Sequence, residues 1–170
     1  MLALPTHPLD LLEQVIEPTL AMLPIRFDMP DDRQSIRVQL IAEALQETSL
    51  ATRQQDGGPA HGLWQGENGD ESAFALVLRN PSVGSIAQAF CQRRGVAPTH
   101  DAVYQAVLTD DLLACAFARL DLYCDPRRLP EIGDVEAAWN CYIRVERPGK
   151  PRRQDWTKNY ADALEAVRQS

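Results

Sequence analysis

The chain has 170 residues, 45% hydrophobic and 24% charged, with a formal net charge of −7. That size and balance fit one folded domain with a real core, and they exclude a wholly disordered chain. The acidic excess argues against nucleic acid as the general partner, and no stretch approaches the ~18 apolar residues of a membrane span.

In chain order, the first element is a helix over 8–23. It carries Leu11, Leu12, Val15, Ile16, Leu20 and Leu23 at near-helical spacing, with Pro8 in its first turn. Pro18 should kink or split it and Pro24 should end it. The pattern predicts a second helix over 31–49, with Ile36, Leu40, Ile41, Ala44 and Leu45 on one face. Residues 51–70 hold two glycine-rich turns and are expected to be loop. The segment 72–79 fits either a short helix or a strand. Asn80-Pro81-Ser82 opens a helix that Gly95 closes, and 99–108 forms the next. Thr109-Asp110-Asp111 caps a helix over 111–123, with Leu112, Cys115, Ala116, Leu120 and Tyr123 on one face. Asp134 caps 135–146, and 153–168 is the last helix. The fold class is therefore all-α, a single domain over 1–170, with a small extended or β-like piece near 63–79. The varied lengths and frequent prolines do not suit an up-down bundle.

The four cysteines, Cys91, Cys115, Cys124 and Cys141, have neither C-x-x-C spacing nor a nearby histidine. They are expected to be free, mostly buried thiols. The basic stretch 144–153, "RVERPGKPRR", fits a solvated connector or a contact for an anionic polymer or a partner protein.

The chemistry-bearing stretch is "ALQETSLATRQQDGGPAHGLWQ", residues 44–65. Glu47 falls at the expected end of a helix, where the negative end of the dipole and partial burial both raise a carboxyl pKa. A carboxyl of that kind can donate a proton near neutral pH. The loop then brings Gly62, Leu63, Trp64 and Gln65. Glycine permits close approach of a bulky substrate, leucine and tryptophan offer apolar and stacking surface, and glutamine can hydrogen-bond hydroxyl or amide groups.

This stretch resembles the catalytic region of the soluble lytic transglycosylases and goose-type lysozymes. Their pattern is a helix ending in Glu-Ser, a loop, then Gly-Ala-x-Gly-Leu-Met-Gln. Glu47-Thr48 stands for the first block and Pro59-Ala60-His61-Gly62-Leu63-Trp64-Gln65 for the second, at the family's usual separation of 18 residues. Threonine replaces the serine, proline the first glycine and tryptophan the methionine. A weaker match is "AAWNCY", where Trp139 or Tyr142 stands near the family's Ala-Tyr-Asn-Ala-Gly tyrosine. The whole chain also looks like small tailed-bacteriophage proteins of that superfamily.

The resemblance implies a lysozyme-like helical domain that cleaves the N-acetylmuramic acid to N-acetylglucosamine bond of peptidoglycan. Glu47 would be the catalytic acid and base. Gly62, Leu63, Trp64, Gln65, Trp139 and Tyr142 would bind the glycan strand, and no metal or organic cofactor would be needed. A hydrolase would need a second carboxylate, for which the loop offers Asp56, Glu67, Asp70 and Glu71. A transglycosylase needs only the glutamate. The alternative is a non-catalytic phage virion, tail or assembly protein that retains the fold and contacts other virion proteins; a cytoplasmic module that binds a sugar or partner without cleavage is a third class. The start "MLALPTHPLDLLEQ" lacks the basic and apolar regions of a signal peptide. The expected location is thus the host cytoplasm before assembly, then the virion.

Overall fold

The computed structural model describes residues 3–25 and 30–170, except the side chains of Pro30 and Asp31. Among the described residues it is all-α. The elements are α1 (Pro8–Leu11), a π-helical turn (Leu12–Ile16), α2 (Glu17–Met22), α3 (Pro30–Thr48), α4 (Ala73–Arg79), α5 (Gly84–Arg93), α6 (His100–Ala106), α7 (Asp111–Cys124), α8 (Val135–Glu146) and α9 (Arg153–Gln169).

Local chemistry accounts for most of the boundaries. Pro18 has no N–H for the helical ladder, and the chain absorbs this with the π turn just before it. There the Glu17 N–H bonds the Leu12 carbonyl, five residues back. Ser72, Thr99, Asp110 and Asp134 each accept a backbone N–H through the side chain and start α4, α6, α7 and α8. Gly95, at φ +69°, closes α5, with the Val96 N–H on the Cys91 carbonyl and the Gly95 N–H on Gln92. The ambiguous segment 72–79 is helix. Its apolar run is capped by Ser72, and among the described residues no neighbouring strand is there to pair with it. The β-like piece is reduced to isolated bridges that link Gln54 to His61 and His61 to Gly66.

Two helices form the centre. α3 packs lengthwise against α9, and α7 touches α2, α3, α4 and α5 as well as the π turn. Both centre helices are buried on more than one side. On α3, Val38, Gln39, Ala42 and Glu43 are as buried as the expected face of Ile36, Leu40, Ile41 and Ala44. On α7 the expected face is corrected: Tyr123 is 50% exposed, whereas Leu113, Phe117 and Leu122 are buried. A helix surrounded by neighbours has no single apolar stripe, so a one-sided pattern misassigns its edge. The last helix keeps the simple pattern, with Trp156, Tyr160, Ala163 and Val167 buried along one side.

All four cysteines are free; Cys91, Cys115 and Cys141 are buried and Cys124 is half-buried. Burial pushes the Cys91 and Cys124 thiols up to about 11, which makes them poor nucleophiles. Among the described residues, no helix is long and apolar enough to cross a membrane.

The loop between α3 and α4 is tied to α7 by Arg53. Its guanidinium donates Nε to Asp111 Oδ1 at 2.6 Å and Nη2 to Oδ2 at 2.5 Å, and Asp111 is 2% exposed. The Arg53 carbonyl accepts the Gly62 N–H at 2.7 Å, which holds the second half of the loop against the first. Asp111→Ala is expected to cost about 3 kcal/mol, because a guanidinium held in a bidentate pair loses its counter-charge. Urea unfolding of the variant beside the wild type measures this, and a loss under 1 kcal/mol would mean that the pair does not anchor the loop.

Candidate functional site

Glu47 lies in the last turn of α3. Beyond it the helix ends at Thr48, whose hydroxyl donates to the Ala44 carbonyl at 2.9 Å and accepts the Leu50 N–H at 3.2 Å. Ser49 and Leu50 then take left-handed φ values of 51° and 56° and turn the chain into the loop. The helix end is clamped from the other side. Arg152 donates to the Gln46 carbonyl, and the Gln46 amide donates back to the Arg152 carbonyl at 3.0 Å. This supplies partners for carbonyls that a helix end leaves open.

The Tyr142 hydroxyl donates to Glu47 Oε1 at 2.6 Å. Tyr142 comes from α8, 95 residues away in the chain. Its ring is fixed by stacking on Trp156 at 5.2 Å between centroids and by Trp139 at 5.3 Å. Trp156 is fully buried and donates its indole N–H to the Val135 carbonyl. Trp139 faces this aromatic cluster and the Arg153 guanidinium, 5.2 Å from its ring. Of the two aromatic candidates, Tyr142 therefore touches the glutamate and Trp139 braces Tyr142. Burial raises the Glu47 pKa above the ordinary carboxyl value, while the Tyr142 hydrogen bond and the Arg152 charge pull it back.

The Gly62–Gln65 corner serves the interior. Leu63 and Trp64 are 0% and 5% exposed, and the Trp64 indole donates to the Leu40 carbonyl of α3 at 3.0 Å. They pack the loop onto α3 instead of offering an open stacking surface. A Cβ on Gly62, at φ +79°, would lie 3.3 Å from the Val107 side chain, so what approaches this glycine is the protein itself. Gly66 is crowded in the same way: a Cβ there would collide with the Phe74 ring. The Gln65 amide turns back to the Gly62 carbonyl at 2.7 Å. His61 is held by its Nδ1 contact to the Tyr104 carbonyl at 3.0 Å and by ring stacking on Tyr104.

The four loop carboxylates do not gather at Glu47. Asp56, Glu67, Asp70 and Glu71 are exposed, with Asp70 near His100 and Glu71 near Arg79. The acids that interact electrostatically with Glu47 are Glu43 and Glu146, and Asp121 interacts in turn with these two. Glu43 sits one turn before Glu47 and is fully buried. Its Oε1 accepts from Gln39 Nε2 at 2.8 Å, while Oε2 has no hydrogen-bond partner. Burial first, then the facing acids, pushes its pKa up to about 8. Burial pushes Asp121 up to about 6 against the pull of Arg147. Burial and the charges of Glu43, Asp121 and Glu47 hold Glu146 well above the ordinary range. A small cavity of about 30 Å³, lined by Trp64, Phe74, Asp121 and Glu146 among others, has room for a water molecule or two. A larger cleft of about 220 Å³ opens on another side of Asp121, between α4, α7 and α8. Glu47 lines neither of these two.

Asp121 and Glu146 were not among the residues singled out from the sequence. One signal for Asp121 was available: it is an acid inside the apolar run "LLACAFARLDLYC", where a charge has to face something buried. Glu146, in "RVERPG", carried no such signal. Three cations of the basic stretch 144–153 are engaged in ion pairs within the chain, two of them at the surface. Arg144 pairs with Asp125, Arg152 with Asp155 and Arg153 with Glu136. Among the described residues, no group of His, Cys, Asp or Glu is arranged to hold a metal ion. No family model, no curated protein and no solved structure matches this chain.

The acid cluster sets a pH dependence of stability. The folded state holds protons on Glu43 and Asp121 that the unfolded chain releases near 4.5 and 3.8. Their contribution is fully present below about pH 4 and is lost as pH rises through about 6 for Asp121 and about 8 for Glu43. Urea unfolding should therefore show stability falling from pH 5 to pH 9 by an amount on the order of 5 kcal/mol, at about 1.4 kcal/mol for each pH unit over which one of these acids holds its extra proton. Glu43→Gln, a permanently neutral mimic of the protonated acid, should flatten most of that fall. A flat wild-type profile would mean that these acids are hydrated in solution.

Proposed function

We propose that this chain is a peptidoglycan-cleaving glycosidase of the lytic transglycosylase type, with Glu47 as general acid and then general base. The observation that carries the reading is the Tyr142–Glu47 hydrogen bond at 2.6 Å. Two short blocks far apart in the sequence resemble the transglycosylase glutamate and tyrosine, and the fold joins one residue of each. The setting of Glu47 suits an acid, since partial burial at a helix C-terminus favours the protonated form.

In the proposed reaction Glu47 gives its proton to the glycosidic oxygen as the bond to N-acetylmuramic acid breaks. The carboxylate is then steadied by the Tyr142 hydroxyl. It takes the proton of the muramic acid 6-hydroxyl as that oxygen attacks the anomeric carbon, which closes a 1,6-anhydro ring and returns the enzyme to its starting state. No step calls on a cofactor. Glu43, being wholly enclosed, is not a catalytic candidate for a glycan. Gln65, half-buried with its amide on the Gly62 carbonyl, is the least enclosed of the four corner residues.

One observation favours a second reading, a non-catalytic phage virion, tail or assembly protein. Leu63 and Trp64, which a glycan would use as its apolar surface, are packed into the core. A chain that keeps the corner for its stability alone would look the same there.

Digestion of purified sacculi followed by mass analysis separates the readings. Anhydro-muropeptides from the wild type, with a loss of about 10²–10⁴-fold in Glu47→Gln, are expected. Reducing ends would indicate hydrolysis, and no products from folded protein on sacculi of several hosts would favour the structural reading. Tyr142→Phe should lower the rate and move the pH at which activity falls upward, because the hydroxyl favours the ionised form of Glu47. An unchanged pH profile would remove Tyr142 from the mechanism.

A further inference from the structure

The larger cleft lies outside the proposed reaction. Its apolar lining is Leu76, Val77 and Val145, its charged groups are two aspartates and two arginines, and Asn80 and Cys124 complete it. One pair of these is already satisfied. Arg144 donates Nε to Asp125 Oδ2 at 2.8 Å and Nη2 to the same oxygen at 2.5 Å. The other pair is not joined. Asp121 and Arg147 interact through their charges, yet Asp121 Oδ2 is buried without a hydrogen-bond partner. Rotation about the terminal bond of the aspartate can exchange its two oxygens at low cost.

The two ends of the cleft differ in sign. Asp121 lines the cleft and has an oxygen without a hydrogen-bond partner, so that end suits a cationic N–H donor. Arg147 supplies the basic rim. It is exposed and follows α8 in the left-handed region, at φ 50° and ψ 48°. A glycine would adopt that backbone more cheaply, so an arginine there points to use of its side chain. A guanidinium of this kind matches a carboxylate. An apolar lining with a few convergent polar groups is the usual make-up of a small-molecule site.

We infer that the cleft between α4, α7 and the end of α8 binds a small zwitterion, an amino acid or dipeptide, with its ammonium on Asp121 and its carboxylate on Arg147. The apolar lining takes the ligand's side chain. This inference stands on the cleft alone and is read without catalysis, so inactivity on sacculi leaves it standing.

The test is an NMR titration of the full chain with L-alanyl-L-alanine, beside N-acetyl-L-alanyl-L-alanine and L-alanyl-L-alaninamide. Saturable shifts at the amides of Asp121, Cys124 and Arg147 are expected for the free dipeptide, with each blocked form binding about tenfold or more weaker. Asp121→Asn and Arg147→Gly should each weaken the free dipeptide by a similar factor. Asparagine keeps the shape and glycine tolerates the left-handed backbone, and the melting temperature checks that both variants fold. No saturable shift, shifts confined to other elements, equal binding of the blocked dipeptides, or full binding by both variants would each overturn the inference.

Discussion

The α3 helix turns two carboxylates, Glu43 and Glu47, into the protein one turn apart, and the surroundings are built to accommodate them. Neither charge is cancelled by a direct ion pair. Glu47 receives a phenol hydroxyl and the distant pull of Arg152, and Glu43 receives one amide hydrogen. An ionised carboxylate so enclosed is costly, so burial raises the pKa of both. Asp121 from α7 and Glu146 from α8 approach the same region and strengthen the effect, since each acid makes ionisation of the others harder. Burial thus favours the protonated forms of Glu43 and Glu146 near a partly exposed glutamate.

The rest of the architecture holds that arrangement in place. Trp156 stacks Tyr142, Trp139 braces both, and Arg152 and Gln46 lock the end of α3 to the start of α9. On the opposite side, Trp64 bonds the α3 backbone and Arg53 bonds the start of α7, so the long loop acts as a strut. A loop of this kind is ordered by what it buries. Its glycines admit Val107 and Phe74, and its aromatic fills the core. The same residue types that suggest a substrate surface in sequence also serve a tightly packed turn, and burial distinguishes the two.

Asp121 links the two halves of the functional picture. It interacts electrostatically with Glu43 and Glu146, and it also lines the larger cleft between α4, α7 and α8. A ligand that brought a positive charge to Asp121 would favour its ionised form and so change the field felt by Glu43 and Glu146. Such a ligand would therefore act on Glu43 and Glu146 through charge alone.

The sequence by itself determined what depends on near neighbours in the chain. The caps at Asp110 and Asp134, the break at Pro18, the close at Gly95 and the all-α class follow from side chains acting within a few residues of the backbone they control. It also placed Glu47 at a helix end, because the helical period and the following turn are local. Only the tertiary structure decided which faces of α3 and α7 are covered, that Tyr142 and not Trp139 reaches Glu47, that Leu63 and Trp64 face inward, and that half-buried Asp121 and Glu146 approach the buried Glu43. These depend on how helices distant in sequence pack. Burial and facing charge set the protonation of a carboxyl, and both come from that packing.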